Sequence, residues 1–257
     1  MKVDLTGKTA FVTGGYGVLG SAICRKLAEN GANVVFTGRN AEKGNAFAAE
    51  LGEKALFIEA DVKDREGMKA ACAAAAEKFG KVDILVNNAG IFVPEDKKAP
   101  LQDFDDVLFD EIIETDLTGI FNTTKPIAGM MRANKYGRIV NISASAGYTP
   151  VRNQVAFSAA KAGILHLTRA MAVELAADGI VVNAVCPGTI DCDVTKAAMA
   201  NEVVAAKLMS HVPMHRLGTP DEVANVVLML ASDEASYMTG NTINLDGGLS
   251  CGFARDY

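Results

Sequence analysis

The chain contains no tryptophan, and aromatic residues of all kinds make up only 6% of its 257 residues. With few large rings and many small residues, its interior must fill through close approach of backbone and branched aliphatic groups, which suits helices packed on a parallel sheet. The five cysteines, Cys24, Cys72, Cys186, Cys192 and Cys251, are odd in number and widely spaced. They form no C-x-x-C pair and no Cys/His metal spacing, so a reducing cytoplasm and no metal are expected. No apolar run approaches the roughly 20 residues that a bilayer demands. Met1-Lys2-Val3-Asp4-Leu5 runs so soon into a strand pattern that a charged leader, apolar run and cleavage site have no room. The chain is expected to be neither exported nor membrane-spanning. Basic residues are also short: 25 Lys and Arg stand against 31 Asp and Glu, and they are scattered. Nucleic acid would need them clustered on one face, so that partner is excluded.

What is present is apolar sequence, 49% of the chain, arranged in two alternating patterns. Short β-branched runs occupy 9–13, 33–37, 55–59, 82–86, 138–142, 180–185 and 241–244. Several are apolar at consecutive positions, the pattern of strands covered on both faces. Longer helical patterns fill 19–30, 41–51, 65–79, 104–134 with room for a break, 154–177 and 221–231. Gly31, Gly52, Gly80, Gly137 and Gly179 stand just beyond five of them, where a left-handed cap favours glycine. This alternation predicts an α/β fold: a three-layer, doubly wound, Rossmann-type and mainly parallel sheet of seven strands, with helices on both faces. Nothing divides the chain, so 1–257 reads as one domain. The irregular stretch 188–218, helical at 195–209, reads as a substrate lid or as an ordinary surface loop.

The first strand leads into Thr13-Gly14-Gly15-Tyr16-Gly17-Val18-Leu19-Gly20 and then a helix, a setting in which backbone N–H groups can meet a pyrophosphate. Asn87-Asn88-Ala89-Gly90 follows the fourth strand, Lys161 lies early in the helix after the fifth, and Pro187-Gly188 follows the sixth. In order and spacing these resemble the short-chain dehydrogenase/reductase family over about 5–249. That family's T-G-x-x-x-G-x-G turn is met by Thr13, Gly14 and Gly20 but not by Val18, whose glycine is displaced to Gly17. Altered turn geometry rather than lost binding is expected. The resemblance implies that Gly14, Tyr16, Gly17, Val18, Leu19 and Gly20 hold the cofactor phosphates. It further implies Asp61 and Val62 beside adenine, Asn88, Ala89 and Gly90 at the adjoining ribose, and Pro187, Gly188 and Ile190 at the nicotinamide. Where an NAD-selective enzyme places a carboxylate at the end of the second strand stands Gly38, followed by Arg39. Arg39 can pair with a 2′-phosphate, which predicts NADP(H) in preference to NAD(H); it can also simply stack on adenine or stand in solvent.

By the same resemblance the chemistry is hydride transfer between nicotinamide and a small carbonyl or secondary alcohol, assisted by Asn, Ser, Tyr and Lys. The tyrosine acts as acid because a neighbouring ammonium lowers its pKa, and the lysine also holds the nicotinamide ribose. The four positions here are Asp116, Ala144, Phe157 and Lys161. Only the lysine is unchanged, so the chain is expected to turn over very slowly. Ser to Ala and Tyr to Phe are the smallest edits that delete each hydroxyl, which reads as engineered silencing of an active enzyme, with Asp116 native to it. A natural cofactor-binding protein without catalysis is the alternative. Ser143, Ser145, Tyr148 and Ser158 are the nearby hydroxyls available to substitute, although Ser158 should face away from the 157/161 side and Tyr148 should wall the pocket.

Substrate contacts are expected from 91–101, 146–154, the stretch after Gly188 and 250–257, with Arg152, Asn153, Gln154 and His211 as polar candidates or solvated loop residues. His166 reads as helix packing. The 104–134 and 154–177 helices carry more small and apolar residues than one sheet face needs, so a partner surface and, by resemblance, a homotetramer are expected.

Overall fold

The structure is a computed structural model describing residues 3–252. Its sheet comprises β1 (Thr9–Val12), β2 (Asn33–Gly38), β3 (Ala55–Glu59), β4 (Ile84–Asn87), β5 (Gly137–Ile142), β6 (Ile180–Pro187) and β7 (Thr242–Leu245). The order is β3-β2-β1-β4-β5-β6-β7, and every pairing is parallel. The expected α/β architecture is therefore present, with a sheet that is wholly rather than mainly parallel. Each strand returns through a helical crossover, which forbids the hairpins that antiparallel pairing would need. β1, β4, β5 and β6 are buried at every position, as their unbroken apolar runs required.

Strand alternation assigns the two layers. Val12, Phe36 and Val86 pack with α1 (Val18–Glu29), Phe47 of α2 (Ala41–Leu51) and α9 (Pro220–Ala231). Phe11, Val35 and Leu85 face the other way, onto α3 (Arg65–Phe79), α5 (Gly119–Asn134) and the distal part of α6 (Val155–Leu175). α9 begins sharply because Thr219 accepts from the Glu222 amide while the Glu222 carboxylate accepts from the Thr219 amide, with Pro220 at the first helical position.

Several boundaries move for identifiable reasons. β4 starts at Ile84 rather than 82, since the Asp83 carboxylate accepts the Thr9 amide at 2.9 Å in place of a backbone carbonyl. The 104–134 helix resolves into α4 (Asp106–Ile112), a π-helical turn Ile113–Thr118, and α5. It begins late because Asp105 caps it, accepting from the Leu108 amide at 2.9 Å. The 195–209 helix is two: α7 (Asp193–Met199) and α8 (Glu202–Met209), separated where Asn201 caps the second by accepting from Val203 and Val204. His166 is exposed rather than packed. Of the expected substrate-facing tail, 253–257 lies outside the described residues, as do 1–2.

One glycine reading is corrected. Gly137 is not a helix cap: Lys135 takes the left-handed conformation (φ 51°) after α5, and Gly137 opens β5. Glycine is needed there for space, because a Cβ would come within 2.5 Å of Met131 Sδ and 3.0 Å of Ile180 Cγ2. Both neighbours are fully buried. Gly137→Ala should therefore destabilise the fold by about 1–3 kcal/mol through overpacking, measured by urea denaturation; an unchanged midpoint would refute the steric account.

Candidate cofactor cleft and catalytic site

β1 and β4 lie side by side at the point where strand order reverses, the place where doubly wound sheets bind ligands beyond their carboxyl ends. The turns leaving these strands are tied together. Thr13 Oγ1 accepts from the amides of Asn88 and Ala89, both at 3.0 Å. Asn88 Nδ2 donates back to the carbonyls of Thr13 (3.0 Å) and Gly14 (3.1 Å). Gly14 turns through φ 64°, and a Cβ on Gly20 would strike the Gly14 carbonyl, so the turn and the first coil of α1 close tightly on each other. Gly17 is the N-cap of α1 in extended conformation, with no side-chain cap and no acidic residue in the first turn. The uncapped amides at that helix end suit a pyrophosphate through both hydrogen bonding and the helix dipole. The glycine shift is accommodated simply: Val18 becomes the first helical residue, about half exposed, and Leu19 packs partly into the core.

At the adjoining strand ends, Gly38 terminates β2, and Arg39 is exposed with no ion pair to any described residue. Asp61 Oδ1 accepts from the Lys63 amide at 2.9 Å, which fixes the turn after β3. Val62 is buried, and its carbonyl receives Asn122 Nδ2 at 2.9 Å. Arg39, Asp61 and Val62 thus gather at the tips of β2 and β3, on the side of the cleft assigned to adenosine.

The four positions that the resemblance assigns to catalysis converge around Lys161. The π turn carries Asp116, which is fully buried, and its Oδ2 stands 3.0 Å from Lys161 Nζ. Asp116 Oδ1 accepts from the Ile91 amide at 2.8 Å, tying the segment after Gly90 to the same carboxylate. Oδ2 has no well-directed hydrogen bond, so the Lys161 contact is one of charge rather than of aligned donor and acceptor. Lys161, itself buried, also reaches the Ile142 carbonyl at 3.4 Å and lies 5.5 Å from the centroid of the Phe157 ring. Phe157 packs with Ala144, Ile91 and Val93, and exposed Phe92 tilts against it at 5.4 Å. The site is therefore a buried ion pair under an apolar surface. Of the substitute hydroxyls, Ser143 donates to the Lys161 carbonyl, Ser158 accepts from the Val151 amide, and Tyr148 meets the Thr242 hydroxyl. Each is committed away from Lys161 Nζ.

Pro187 ends β6 against Leu245, and Gly188 is required by proximity, since a Cβ there would come within 2.7 Å of Asp246 Cα. Ile190 bridges to Gly218, closing the base of the 188–218 excursion. Arg216 and Glu222 form an ion pair at 2.7 Å beside that base, which holds the Glu222 carboxyl down at about 2. His211 turns to the Lys207 carbonyl. A groove of about 720 Å³ joins two of the expected substrate segments, Ala99 to Leu101 and Ala146 to Asn153. Its α6 wall is Val155, Ser158, Ala159 and Ala162, a side of the helix turned away from Phe157 and Lys161. Tyr148 lines it as expected, yet the groove is beside the ion pair and not over it.

The family model described as enoyl-(acyl carrier protein) reductase matches residues 17–250. Nodulation protein G of Azospirillum brasilense is 41% identical over 250 residues, covering 96% of this chain and 99% of that protein. The 3-oxoacyl-[acyl-carrier-protein] reductase FabG of Aquifex aeolicus (strain VF5) is 39% identical, with 97% and 100% covered. The acetoacetyl-CoA reductase of Rhizobium meliloti (strain 1021) is 42% identical, with 94% and 98% covered. Among solved structures, levodione reductase superposes with a TM-score of 0.91 at 32% identity, covering 97% of this chain and 100% of that one. The chain belongs to the short-chain dehydrogenase/reductase family.

Within this short-chain dehydrogenase/reductase, the polar scaffold beneath the site is what sequence reasoning missed. Asn87 donates to Thr124 and Asn141, and Asn141 donates to Thr168, all buried between β4, β5, α5 and α6. Polar residues at consecutive apolar-strand ends were the available signal. The Asp116 side chain has a different kind of consequence, because breaking a buried pair strands the partner charge. Asp116→Ala should cost about 3–5 kcal/mol of stability. Adding Lys161→Met should recover most of that loss in the same chemical denaturation series. Full additivity of the two changes would mean that the pair is not coupled.

Proposed function

We propose that this chain is built as an NADP(H)-binding oxidoreductase that interconverts a secondary alcohol and a ketone, with its proton-transfer groups removed. The observation that carries the reading is the grouping of Ala144, Phe157 and Lys161 beyond the end of β5, in a sheet whose β1–α1 turn also leaves an uncapped helix end at its carboxyl edge. The relatives named for 3-oxoacyl, acetoacetyl and levodione reduction favour a ketone as the substrate class. Gly14, Tyr16, Gly17, Val18, Leu19 and Gly20 would hold the phosphates, Arg39 a 2′-phosphate, Asp61 and Val62 the adenine side, and Asn88, Ala89 and Gly90 a ribose. Pro187, Gly188 and Ile190 would face the nicotinamide, which when bound supplies or accepts the hydride. Lys161 would hold a ribose hydroxyl, kept charged by Asp116. What these residues cannot do is give a proton to a developing alkoxide: Phe157 has none to give, and Ala144 cannot polarise the substrate oxygen. Deletion of both hydroxyls with packing volume retained favours deliberate silencing. We read the protein as one cytoplasmic domain, with 188–218 as its substrate lid; no helix among the described residues is long and apolar enough to cross a membrane.

The buried Asp116–Lys161 pair favours a second reading, a natural NADP(H)-binding regulatory or scaffold protein, because the ammonium already has its counter-charge without a tyrosine. Titration calorimetry separates the two when combined with repair. The chain should bind NADPH at least about tenfold tighter than NADH, a difference of one charge-assisted contact. Ala144→Ser with Phe157→Tyr should raise NADPH oxidation across a panel of ketones by about 10²- to 10⁴-fold. Tight cofactor binding with continued silence in the repaired protein would support the regulatory reading instead.

Assembly follows from exposed apolar groups on the two long helices, Phe121 of α5 at 46% and Val173 of α6 at 84% exposure. We infer a homotetramer with two-fold symmetry through those helices. Size-exclusion chromatography with light scattering should give four times the 27.0 kDa chain mass. A monomer stable across concentrations would contradict it.

A further inference from the structure

Tyr16 stands in the glycine-rich turn, but its ring lies across the end of β2. Its hydroxyl accepts from the Asn40 amide at 2.8 Å, and Asn40 in turn caps α2 by accepting from the Lys43 amide. The ring leans on an aromatic group formed by Phe36, Phe47 and Phe57, with its centroid 6.2 Å from that of Phe57. It is thereby held from behind and at its tip, while remaining only partly buried on the cleft side. Directly under it is Gly38. A Cβ at position 38 would collide with Tyr16 Cε1 and come within 2.6 Å of Cζ and 2.8 Å of Oη. Such separations are repulsive, and a ring braced against Phe57 and tied at its hydroxyl to the Asn40 amide has little freedom to retreat.

We propose that Tyr16 is a specificity-determining residue for the cofactor, by keeping position 38 closed to every side chain. This rests on the reading of the cleft as a dinucleotide site. A carboxylate that selects a free ribose must stand on a Cβ at the end of β2, and Tyr16 occupies that space. The charged side chain left at this strand end is Arg39, exposed and without an ion pair to any described residue. Selectivity for the 2′-phosphate is then set by two residues in different loops: Arg39 attracts it, and Tyr16 excludes the competing carboxylate. Specificity of this kind contains a repulsive element as well as an attractive one. The sequence distance of 22 positions between Tyr16 and Gly38 hides the coupling from any local motif.

The test is a double-mutant cycle with two readouts. In the first, NADPH and NADH affinities are measured by calorimetry for the parent chain, Gly38→Asp, Tyr16→Ala and the double variant. Gly38→Asp alone should weaken both cofactors, because it displaces the ring, and should gain nothing for NADH. Tyr16→Ala with Gly38→Asp should shift the NADPH/NADH affinity ratio toward NADH by about 100-fold, the worth of one or two charge-assisted hydrogen bonds. An equal shift from Gly38→Asp alone would overturn the gating role while leaving the dinucleotide site intact. Uptake of neither cofactor by the parent chain would remove that site and the proposal together. The second readout needs no ligand: Gly38→Ala should lower the urea midpoint in the Tyr16 background and not in the Tyr16→Ala background. Additive effects of the two substitutions would show that ring and Cβ do not compete for the same space.

Discussion

The cleft depends on the knot between the ends of β1 and β4. Each strand stops at its carboxyl end with backbone groups that the sheet no longer satisfies, and Thr13 and Asn88 satisfy them for each other. Four hydrogen bonds of about 1 kcal/mol net each do more than stabilise two turns. They fix Gly14 against Ala89, so that α1 can leave the sheet only in one direction and its uncapped end must face the cleft. A parallel sheet collects every such strand end on one edge, so residues distant in sequence reach a common site without long loops. Tyr16 and Asp61 at one end of the cleft and Lys161 at the other take their places from that arrangement.

Lys161 shows what a buried ammonium requires of its surroundings. An ammonium in an interior this dry is costly unless a counter-charge is present. In the family pattern that the sequence resembles, the lysine has a tyrosine hydroxyl beside it and an asparagine-linked water. Here Asp116 supplies the charge directly, and the π turn that carries it is the kind of helix irregularity that tends to mark functional positions. Phe157 fills the remaining space with a ring, aided by Phe92 and the small Ala144. The site is therefore complete as a structure and incomplete as an acid.

The strands and their partners were legible because burial on both faces writes itself as consecutive apolar residues, as in Ile139-Val140 or Val181-Val182. The motif-bearing turns were legible too, since glycine at positions 14 and 20 answers to local geometry. Where the reading failed, a side chain acted at a distance. Gly137 looked like a cap because it follows a helix, while the real reason for it is Met131 and Ile180, one of them 43 positions further on. His166 looked like packing because α6 is apolar nearly all round, and only the tertiary arrangement shows which side is left exposed.

The same distinction separates the two ends of the cleft. One end is organised by Tyr16, Gly38 and Asp61 around the tips of β2 and β3. The other end is organised by Asp116, Phe157 and Lys161, beside the end of β5. Between them lies the Thr13–Asn88 knot, which touches both turns and includes neither the 144 and 157 side chains nor the Tyr16 ring. Substitutions at 144 and 157 change groups that contact one another and the Lys161 region, with no shared partner at the β2 and β3 end. Free-energy effects at sites without common partners add rather than couple. The β2 and β3 end of the cleft consequently has no structural reason to deteriorate when positions 144 and 157 change.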